Sequence, residues 1–390
     1  MNGFTMSVPT EVIFGSGTIQ QLPDAVLRYG NCVLMVTTPW VGEQALAFER
    51  IKKSMEEKGI TVVVQDDVVS NPTSASINAG VLKAREAGCQ VILGVGGGSS
   101  IDSAKAIAVG VRHEGEAWDY VYTNGKPVIP EIVLPIIAVP TTSGTGSHVT
   151  KYAVFTNRDL EIKSTIVNAA VYPKISIVDP DLMKTLPDFL TASVGFDAFS
   201  HSFESYTNIH SNEFIDMLAF KSMELIINNL YDVMQDPNNT DLREKLAFAD
   251  TLAGIAIANV GTTLPHSIGQ PISGRYPNVS HGLSLAVVYP QFIEFTYKNC
   301  VEKFAKVARI FDPALNEADD LTAAEALSGC MREFLKKIGM YTSLDLLNVP
   351  DDKMDGIVRD AMNCPDTYVN PVVPTAEQVR QMLADARTLK

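Results

Sequence analysis

The chain has 390 residues, with 31 Lys plus Arg against 45 Asp plus Glu and a formal charge of −14 at pH 7, a balance that argues against a duplex-DNA binder. With 46% hydrophobic and 19% charged residues it has ample material for a large core, and at about 150 residues per domain its length fits two or three domains. Its longest strongly apolar stretch, Ile132 to Val139, is interrupted by Pro135 and falls short of the roughly 18 to 20 residues needed to span a bilayer.

The first cation is Arg28, so the start lacks both the basic, apolar pattern of a secretory signal and the Arg-rich character of a mitochondrial presequence; a cytoplasmic location is expected. Strand-like runs follow at Val33-Leu34-Met35-Val36, Thr61-Val62-Val63-Val64, Val91-Ile92-Leu93, Ile136-Ile137-Ala138-Val139 and Ile175-Ser176-Ile177-Val178. Continuous apolar strands suit a sheet buried on both faces. Between them, Gly42 to Lys58 and Ser74 to Ala87 have helical spacing, which predicts an open parallel sheet with helices on both sides. After Asp179-Pro180 the character changes. Thr191 to Thr207, Asn212 to Asn229, Asp241 to Asn259, Pro290 to Phe311 and Ala323 to Ile338 all read as helices, which places a domain boundary near residue 185. The five cysteines, Cys32, Cys89, Cys300, Cys330 and Cys364, are odd in number and far apart; they read as reduced core residues, not as a disulfide framework.

Two loops in the first half carry chemistry. In Val91-Ile92-Leu93-Gly94-Val95-Gly96-Gly97-Gly98-Ser99-Ser100-Ile101-Asp102 a buried strand feeds three glycines and then a helix, so backbone N–H groups and a helix N-terminus face one point where a phosphate would bind. The motif is neither G-x-G-x-x-G nor a Walker A loop, and a plain strand-to-helix turn is the alternative. The second loop, Pro140-Thr141-Thr142-Ser143-Gly144-Thr145-Gly146-Ser147-His148, follows another strand, where open α/β sheets bind ligands; its hydroxyls suit phosphate, ribose or carboxamide contacts. It also reads as a polar surface loop, but two such loops after strands of one sheet together favour a dinucleotide.

The second half contributes a metal constellation. Asp197 and His201 are four residues apart and project from one face of a helix. His266 and His281 add two imidazoles among apolar or small neighbours. Each His alone also suits a hydrogen-bonded structural role. Together the four make an N3O set suited to Fe(II), Zn(II), Co(II) or Ni(II), and not preferred by Mg or Ca.

In order along the chain, these motifs resemble those of the iron-containing, or group III, alcohol dehydrogenase family. The resemblance runs from Glu11-Val12-Ile13-Phe14-Gly15 through Asn71-Pro72-Thr73, Gly96-Gly97-Gly98-Ser99 with Asp102 and Lys105, Pro140 to Ser147, Lys163, Asp179-Pro180 and Gly195-Phe196-Asp197-Ala198 with His201 and Glu204, to His266, His281-Gly282 and Asn370-Pro371. It implies a dehydroquinate synthase-like fold: an N-terminal dinucleotide-binding α/β domain over residues 1–185 and a C-terminal helical metal-binding and substrate domain over residues 186–390. It also implies one divalent ion on Asp197, His201, His266 and His281, Fe(II) first and Zn(II) second. The cofactor diphosphate falls to Gly97, Gly98 and Ser99, with further contacts from Asp102, Thr141, Thr142, Thr145 and Lys163. A homodimer or larger homo-oligomer is the implied assembly. The implied chemistry is hydride transfer between NAD(P)(H) and a small alcohol or aldehyde whose oxygen the metal polarises, with the protein positioning both reactants.

Several positions depart from that pattern. Where many members carry a further His four residues after the first His of the later pair, often assigned to proton transfer or the substrate pocket, this chain has Gln270, which is neither acid nor base near pH 7. A loop that usually ends Gly-Ser-Glu ends Gly146-Ser147-His148, so His148 is a candidate replacement titratable group near the cleft, or else a structural His. The family's Asn-Pro-Arg reads Asn370-Pro371-Val372. One extra residue between His266 and His281 is assigned to the loop Ser273-Gly274-Arg275-Tyr276-Pro277. NAD-specific members place an Asp after the first nucleotide-binding strand, where this chain has Thr38; without that carboxylate a 2′-phosphate is not repelled, so NADP(H) is allowed beside NAD(H). Rival readings are a glycerol-dehydrogenase-like or dehydroquinate-synthase-like enzyme, a hydroxyacid-oxoacid transhydrogenase on the same fold, and a non-catalytic nucleotide-binding scaffold. Gln270, His148 and Arg275 favour a pocket polar enough for an alcohol or aldehyde with a second oxygen function.

Overall fold

The apolar runs of the first half fold as strands, joined by three further ones. In chain order they are β1 (Glu11–Phe14), β2 (Cys32–Val36), β3 (Thr61–Gln65), β4 (Val91–Gly96), β5 (Ile136–Pro140), β6 (Tyr152–Asn157), β7 (Ile162–Val167) and β8 (Ile175–Val178). The computed structural model describes residues 3–124 and 132–389. Six strands form one parallel sheet in the order β1-β8-β5-β4-β2-β3. Helices α1 (Leu22–Leu27), α2 (Gly42–Glu56), α3 (Ser74–Glu86) and α4 (Gly98–Arg112) lie in the connections.

Side chains alternate between two cores, as a period of two requires. Leu34, Val36, Ile92 and Ile136 pack with Ile77, Val81, Ile107 and Val109 from α3 and α4. Val33, Met35, Val91, Leu93, Val139 and Ile177 pack with Leu22, Val26, Phe48, Ile51 and Met55 from α1 and α2. Both faces are covered, so the central strands are apolar throughout.

The strand order locates the ligand edge. From β2 the chain moves outward to β3, then returns past β2 to β4 and proceeds the other way to β5. The direction of winding therefore reverses between β2 and β4, and open α/β sheets bind ligands beyond the C-terminal ends of the strands at such a point. Thr38 follows β2 there, and Gly97 and Gly98 follow β4.

The hairpin β6–β7 was not anticipated. It pairs antiparallel from Tyr152↔Val167 to Asn157↔Ile162, and Thr156 N–H donates to Pro72 O at 2.8 Å just before α3.

The second half is helical: α5 (Asp188–Thr207), α6 (Glu213–Gln235), α7 (Thr240–Val260), α8 (Leu264–Arg275), α9 (His281–Ala286), α10 (Tyr289–Thr296), α11 (Val301–Phe311), α12 (Asp320–Lys337), α13 (Met354–Asn363) and α14 (Ala376–Asp385). The single helix expected over Pro290 to Phe311 is α10 and α11, separated by a 3₁₀ turn and by Cys300, whose φ of −150° is not helical. Tyr297, Asn299 and Cys300 are weak helix formers, so little propensity opposes the break. The stretch Ser273 to Arg275, read as loop, is the last turn of α8; the connection to α9 is residues 276–280.

The chain divides into two compact units, one of residues 7–186 and 237–247, the other of residues 1–6, 187–236 and 248–390. In the second, α5 is buried along most of its length. One side of it feeds an aromatic cluster in which Phe203 meets Phe304 at 5.0 Å and Phe196 meets Tyr289 at 5.2 Å between ring centroids. Ser200 and Ser202 satisfy their hydroxyls inside this dry environment by donating to Phe196 O and Ala198 O, each at 2.9 Å, the usual resort of a buried helical serine. Among the described residues no single helix is long and apolar enough to cross a membrane.

Helix α4 lies directly on β4 at Gly94, where a Cβ would stand 2.9 Å from Ile101 Cα. Gly94→Ala therefore has to push the helix backbone away, and a loss of about 1–3 kcal/mol is expected from the overpacking. A lowered thermal midpoint by circular dichroism checks this; an unchanged midpoint would show slack between α4 and the sheet.

Candidate metal centre and nucleotide loops

Three helices bring the four expected ligands together. Asp197 and His201 lie one turn apart on α5, His266 is the third residue of α8, and His281 is the first of α9. The Nε2 atoms of His201, His266 and His281 each stand 3.6 Å from the same oxygen, Asp197 Oδ1. That is too long for a hydrogen bond. It is close to the roughly 3.4 Å edge of a tetrahedron whose centre lies about 2.1 Å from every ligand atom, the geometry of N and O donors around a divalent transition metal. Ligand atoms of Asp197, His201 and His266 lie within 4.8 Å of one another, and His281 joins them through the shared carboxylate oxygen. Asp197 Oδ1 and His266 Nε2 are buried and make no hydrogen bond, a state that burial penalises unless a cation faces them. The donor set and its spacing fit one divalent ion.

Local structure explains the convergence. Glu204, one turn beyond His201 on α5 and fully buried, accepts Thr263 N–H at 2.8 Å and pairs with His266 Nδ1 at 2.7 Å. Its charge sits at the N-terminus of α8, where the helix dipole favours an anion, and Pro265 occupies a position that lacks an N–H partner in any case. Ser280 caps α9 by accepting Leu283 N–H at 3.4 Å. Helix α9 then approaches α5 so closely that a Cβ on Gly282 would stand only 2.4 Å from Ser193 O. This contact, one turn before Asp197 on α5, brings His281 to the carboxylate.

The electrostatics follow from the same neighbours. Burial pushes the Asp197 carboxyl up, but the charges of His201, His281 and His266 outweigh it and hold the group well below the usual carboxylate range. Burial pushes His266 down, while Glu204 and Asp197 together raise it to about 10. Two carboxylates thus create a strongly negative potential at the imidazoles. Asp197, His201 and His266 are 3%, 6% and 3% exposed, whereas the His281 side chain is 26% exposed, so the centre opens on the His281 side.

The two nucleotide loops meet within the first unit. Thr141 N–H donates to Gly96 O at 2.9 Å. A Cβ on Gly98 would lie 2.6 Å from Thr145 Cγ2, and one on Gly97 would lie 3.2 Å from Thr142 Cγ2. Glycine is needed because the second loop occupies that space, and α4 begins at Gly98 with its N–H groups pointing out of the turn. Lys163 on β7 donates to Asn71 at 2.9 Å. Thr38 is half-buried beyond β2.

Asp102, expected as a cofactor contact, also has a structural part. Its carboxylate accepts Ser147 Oγ–H at 2.5 Å and Val154 N–H at 3.1 Å, so both oxygens brace the second loop and the hairpin. Lys105, one turn on and fully buried, donates to Tyr152 O at 2.7 Å and Thr150 O at 3.0 Å. His148 is 1% exposed, and burial, reinforced by Lys105, lowers its pKa to about 3. It is a neutral core residue and supplies no titratable group near pH 7. Gln270 is half-buried on α8, one turn after His266. Arg275 is committed to Asp360 at 2.5 Å. Glu204 was quoted in the motif without a role; its spacing from Asp197 and His201, at i, i+4 and i+7, was the available signal.

Residues 9–180 match the family model described as iron-containing alcohol dehydrogenase, and residues 191–387 match that of the Fe-containing alcohol dehydrogenase family, C-terminal. A choline dehydrogenase of Bacillus subtilis is 31% identical over 94% of this chain and 91% of its own length. An NAD-dependent methanol dehydrogenase of Bacillus methanolicus is 28% identical over 97% of this chain and 98% of its own. Among solved structures, an archaeal halo-thermophilic alcohol dehydrogenase from a Red Sea brine pool superposes with a TM-score of 0.93 at 33% identity, covering 99% of this chain and 100% of the other.

Glu204→Gln keeps the shape of the side chain but removes the charge that orients His266. Loss of such an outer partner typically weakens metal affinity about 10–100-fold. Competition titration with a chromophoric chelator checks this, and affinity equal to wild type would show that His266 holds its orientation without Glu204.

Proposed function

The chain belongs to the iron-containing alcohol dehydrogenase family, and on that premise we propose that Asp197, His201, His266 and His281 hold one divalent cation, Fe(II) in preference to Zn(II), in an enzyme that transfers hydride between a nicotinamide cofactor and a small alcohol or aldehyde. The observation that supports the assignment is the placement of three imidazole Nε2 atoms 3.6 Å from one buried carboxylate oxygen. When bound, the cation supplies Lewis acidity toward a substrate oxygen and the nicotinamide supplies or receives the hydride.

The chain's own residues do the rest. Glu204 takes the hydrogen bond of His266 Nδ1–H, which fixes the tautomer that turns the Nε2 lone pair inward. The backbone N–H groups of Gly97, Gly98 and Ser99 and the N-terminus of α4 receive the diphosphate, with Thr141, Thr142 and Thr145 alongside. Asp102, through Ser147 and Val154, and Lys105, through Thr150 and Tyr152, brace the chain at the end of the second loop. Gln270 orients by hydrogen bonding and moves no proton near pH 7. Thr38, lacking charge, lets the adenosine end carry either a 2′-hydroxyl or a 2′-phosphate, so both NAD(H) and NADP(H) are accepted.

Anaerobic metal analysis combined with oxidation of NADH and NADPH against short aldehydes, with and without added Fe(II) or Zn(II), tests the reading. About one metal per chain and metal-dependent turnover are expected. Bound metal without turnover of free cofactor would favour the transhydrogenase alternative, and absence of metal binding would overturn the ligand set. Asp197→Ala and His281→Ala are each expected to abolish metal retention and turnover while cofactor affinity, followed by NADH fluorescence, stays within about twofold. Loss of folding in both variants would make the cluster structural.

A further inference from the structure

Asp366 was not singled out by its sequence, yet it lies beside the metal centre. It belongs to the 3₁₀ turn Pro365–Val369 that follows α13. Its Oδ2 accepts Thr262 Oγ1–H at 2.5 Å. The next residue, Thr263, gives its N–H to Glu204 Oε2 at 2.8 Å, and Glu204 holds His266 at 2.7 Å. Asp366 is thus fastened to the same short turn, residues 261–263, that aligns the metal-site imidazole.

Its other oxygen is uncommitted: Oδ1 accepts no hydrogen bond from the described residues. Gly261, at φ +79°, contributes no side chain to cover it; a Cβ there would stand 3.9 Å away. Asp366 is half-buried, unlike the enclosed Asp197 and Glu204, and so is not wholly sealed from solvent. Burial raises its pKa to about 6, held there by the Thr262 hydrogen bond and His266, which leaves it chiefly an acceptor at neutral pH. A carboxylate joined through Thr262, Thr263 and Glu204 to the metal-site imidazole, with one oxygen open, is better satisfied by a donor on the substrate than by an alkyl chain.

We infer that Asp366 selects the substrate, its open oxygen accepting a hydrogen bond from a second polar group, hydroxyl or ammonium, on an alcohol whose other end is oxidised at the metal. The inference rests on the dehydrogenase reading above and names the substrate class that reading leaves open.

The test compares isosteric pairs on the metal-loaded enzyme: 1,3-propanediol and 3-amino-1-propanol against 1-butanol, and 1,2-propanediol against 2-methyl-1-propanol. In the wild type, kcat/KM for at least one polar member is expected to exceed that of its apolar isostere by about tenfold, since a site built to hydrogen-bond a group discriminates against its loss. Asp366→Ala brings that ratio to within about twofold of unity. Asp366→Asn, nearly isosteric and the fallback if the alanine variant does not fold, removes the ammonium preference while retaining part of the hydroxyl preference. Calorimetric binding of 3-amino-1-propanol gives the same ordering without turnover. A wild-type preference for the apolar members, a ratio unchanged in both variants, or an equal loss on every substrate, which would mark a purely structural hold on Thr262, each overturns the inference. No turnover by the wild type with any alcohol overturns the dehydrogenase reading, and this inference with it.

Discussion

Burying a carboxylate is unfavourable by several kcal/mol unless positive charge is brought to it, and Asp197 imposes that condition on half the molecule. Its Oδ1 is enclosed by imidazoles from three helices, so α5, α8 and α9 have to converge within a few ångströms of one atom. The small residues around it follow from this demand. Gly282 is glycine because α9 must touch the α5 backbone at Ser193, and Glu204 lies one turn beyond His201 because α8 must begin against α5. The aromatic cluster on the opposite side of α5 gives that helix a rigid seat, so the polar side cannot relax away from the charge it carries.

The first unit obeys a separate constraint with a similar outcome. A parallel sheet whose winding reverses between β2 and β4 leaves one gap at its C-terminal edge, and the glycines after β4 exist because Thr142 and Thr145 fill the space where side chains would go. Asp102 and Lys105 reach backwards from α4 into the second loop and the hairpin, which turns two independent loops into one surface. The shape of that surface depends on side chains that lie behind it.

Legibility followed burial. Strands covered on both faces, such as β4 and β5, stand out as unbroken apolar runs, and they were the readable ones. The hairpin β6–β7 was missed because Thr156, Asn157, Lys163, Ser164 and Thr165 interleave polar residues with apolar ones, a weak signal at this length. Helix α8 contains Pro265, Gly269, Pro271 and Gly274 and has little intrinsic reason to be helical; Glu204, more than fifty residues earlier, caps it, and such tertiary rescue is invisible to local propensity. The cluster of Asp197, His201, His266 and His281 was legible because a chelating set restricts residue type and helical spacing together. Of the two readings of His148, titratable or structural, its burial favours the structural one, and nothing in its neighbours along the chain shows that it is sealed in the core. Asp366 had no signal at all: its meaning comes from Thr262 and Gly261, a hundred residues away.

Lys105 illustrates what this architecture gives up. Its ammonium is fully buried, and burial lowers its pKa to about 8, only partly opposed by Asp102. A folded-state pKa below the unfolded one means that protonation favours the unfolded chain: the penalty is complete below about pH 8 and disappears only as pH rises past the ordinary lysine value near 10.4. At neutral pH the first unit therefore carries a standing handicap that a methionine of similar length would not impose. Natural proteins sit just above the stability they require, and here part of the margin is given over to holding two backbone carbonyls in register. Attempts to make this protein hardier by filling its core with apolar side chains would meet Lys105 early, and would trade robustness against the shape of the loop it supports.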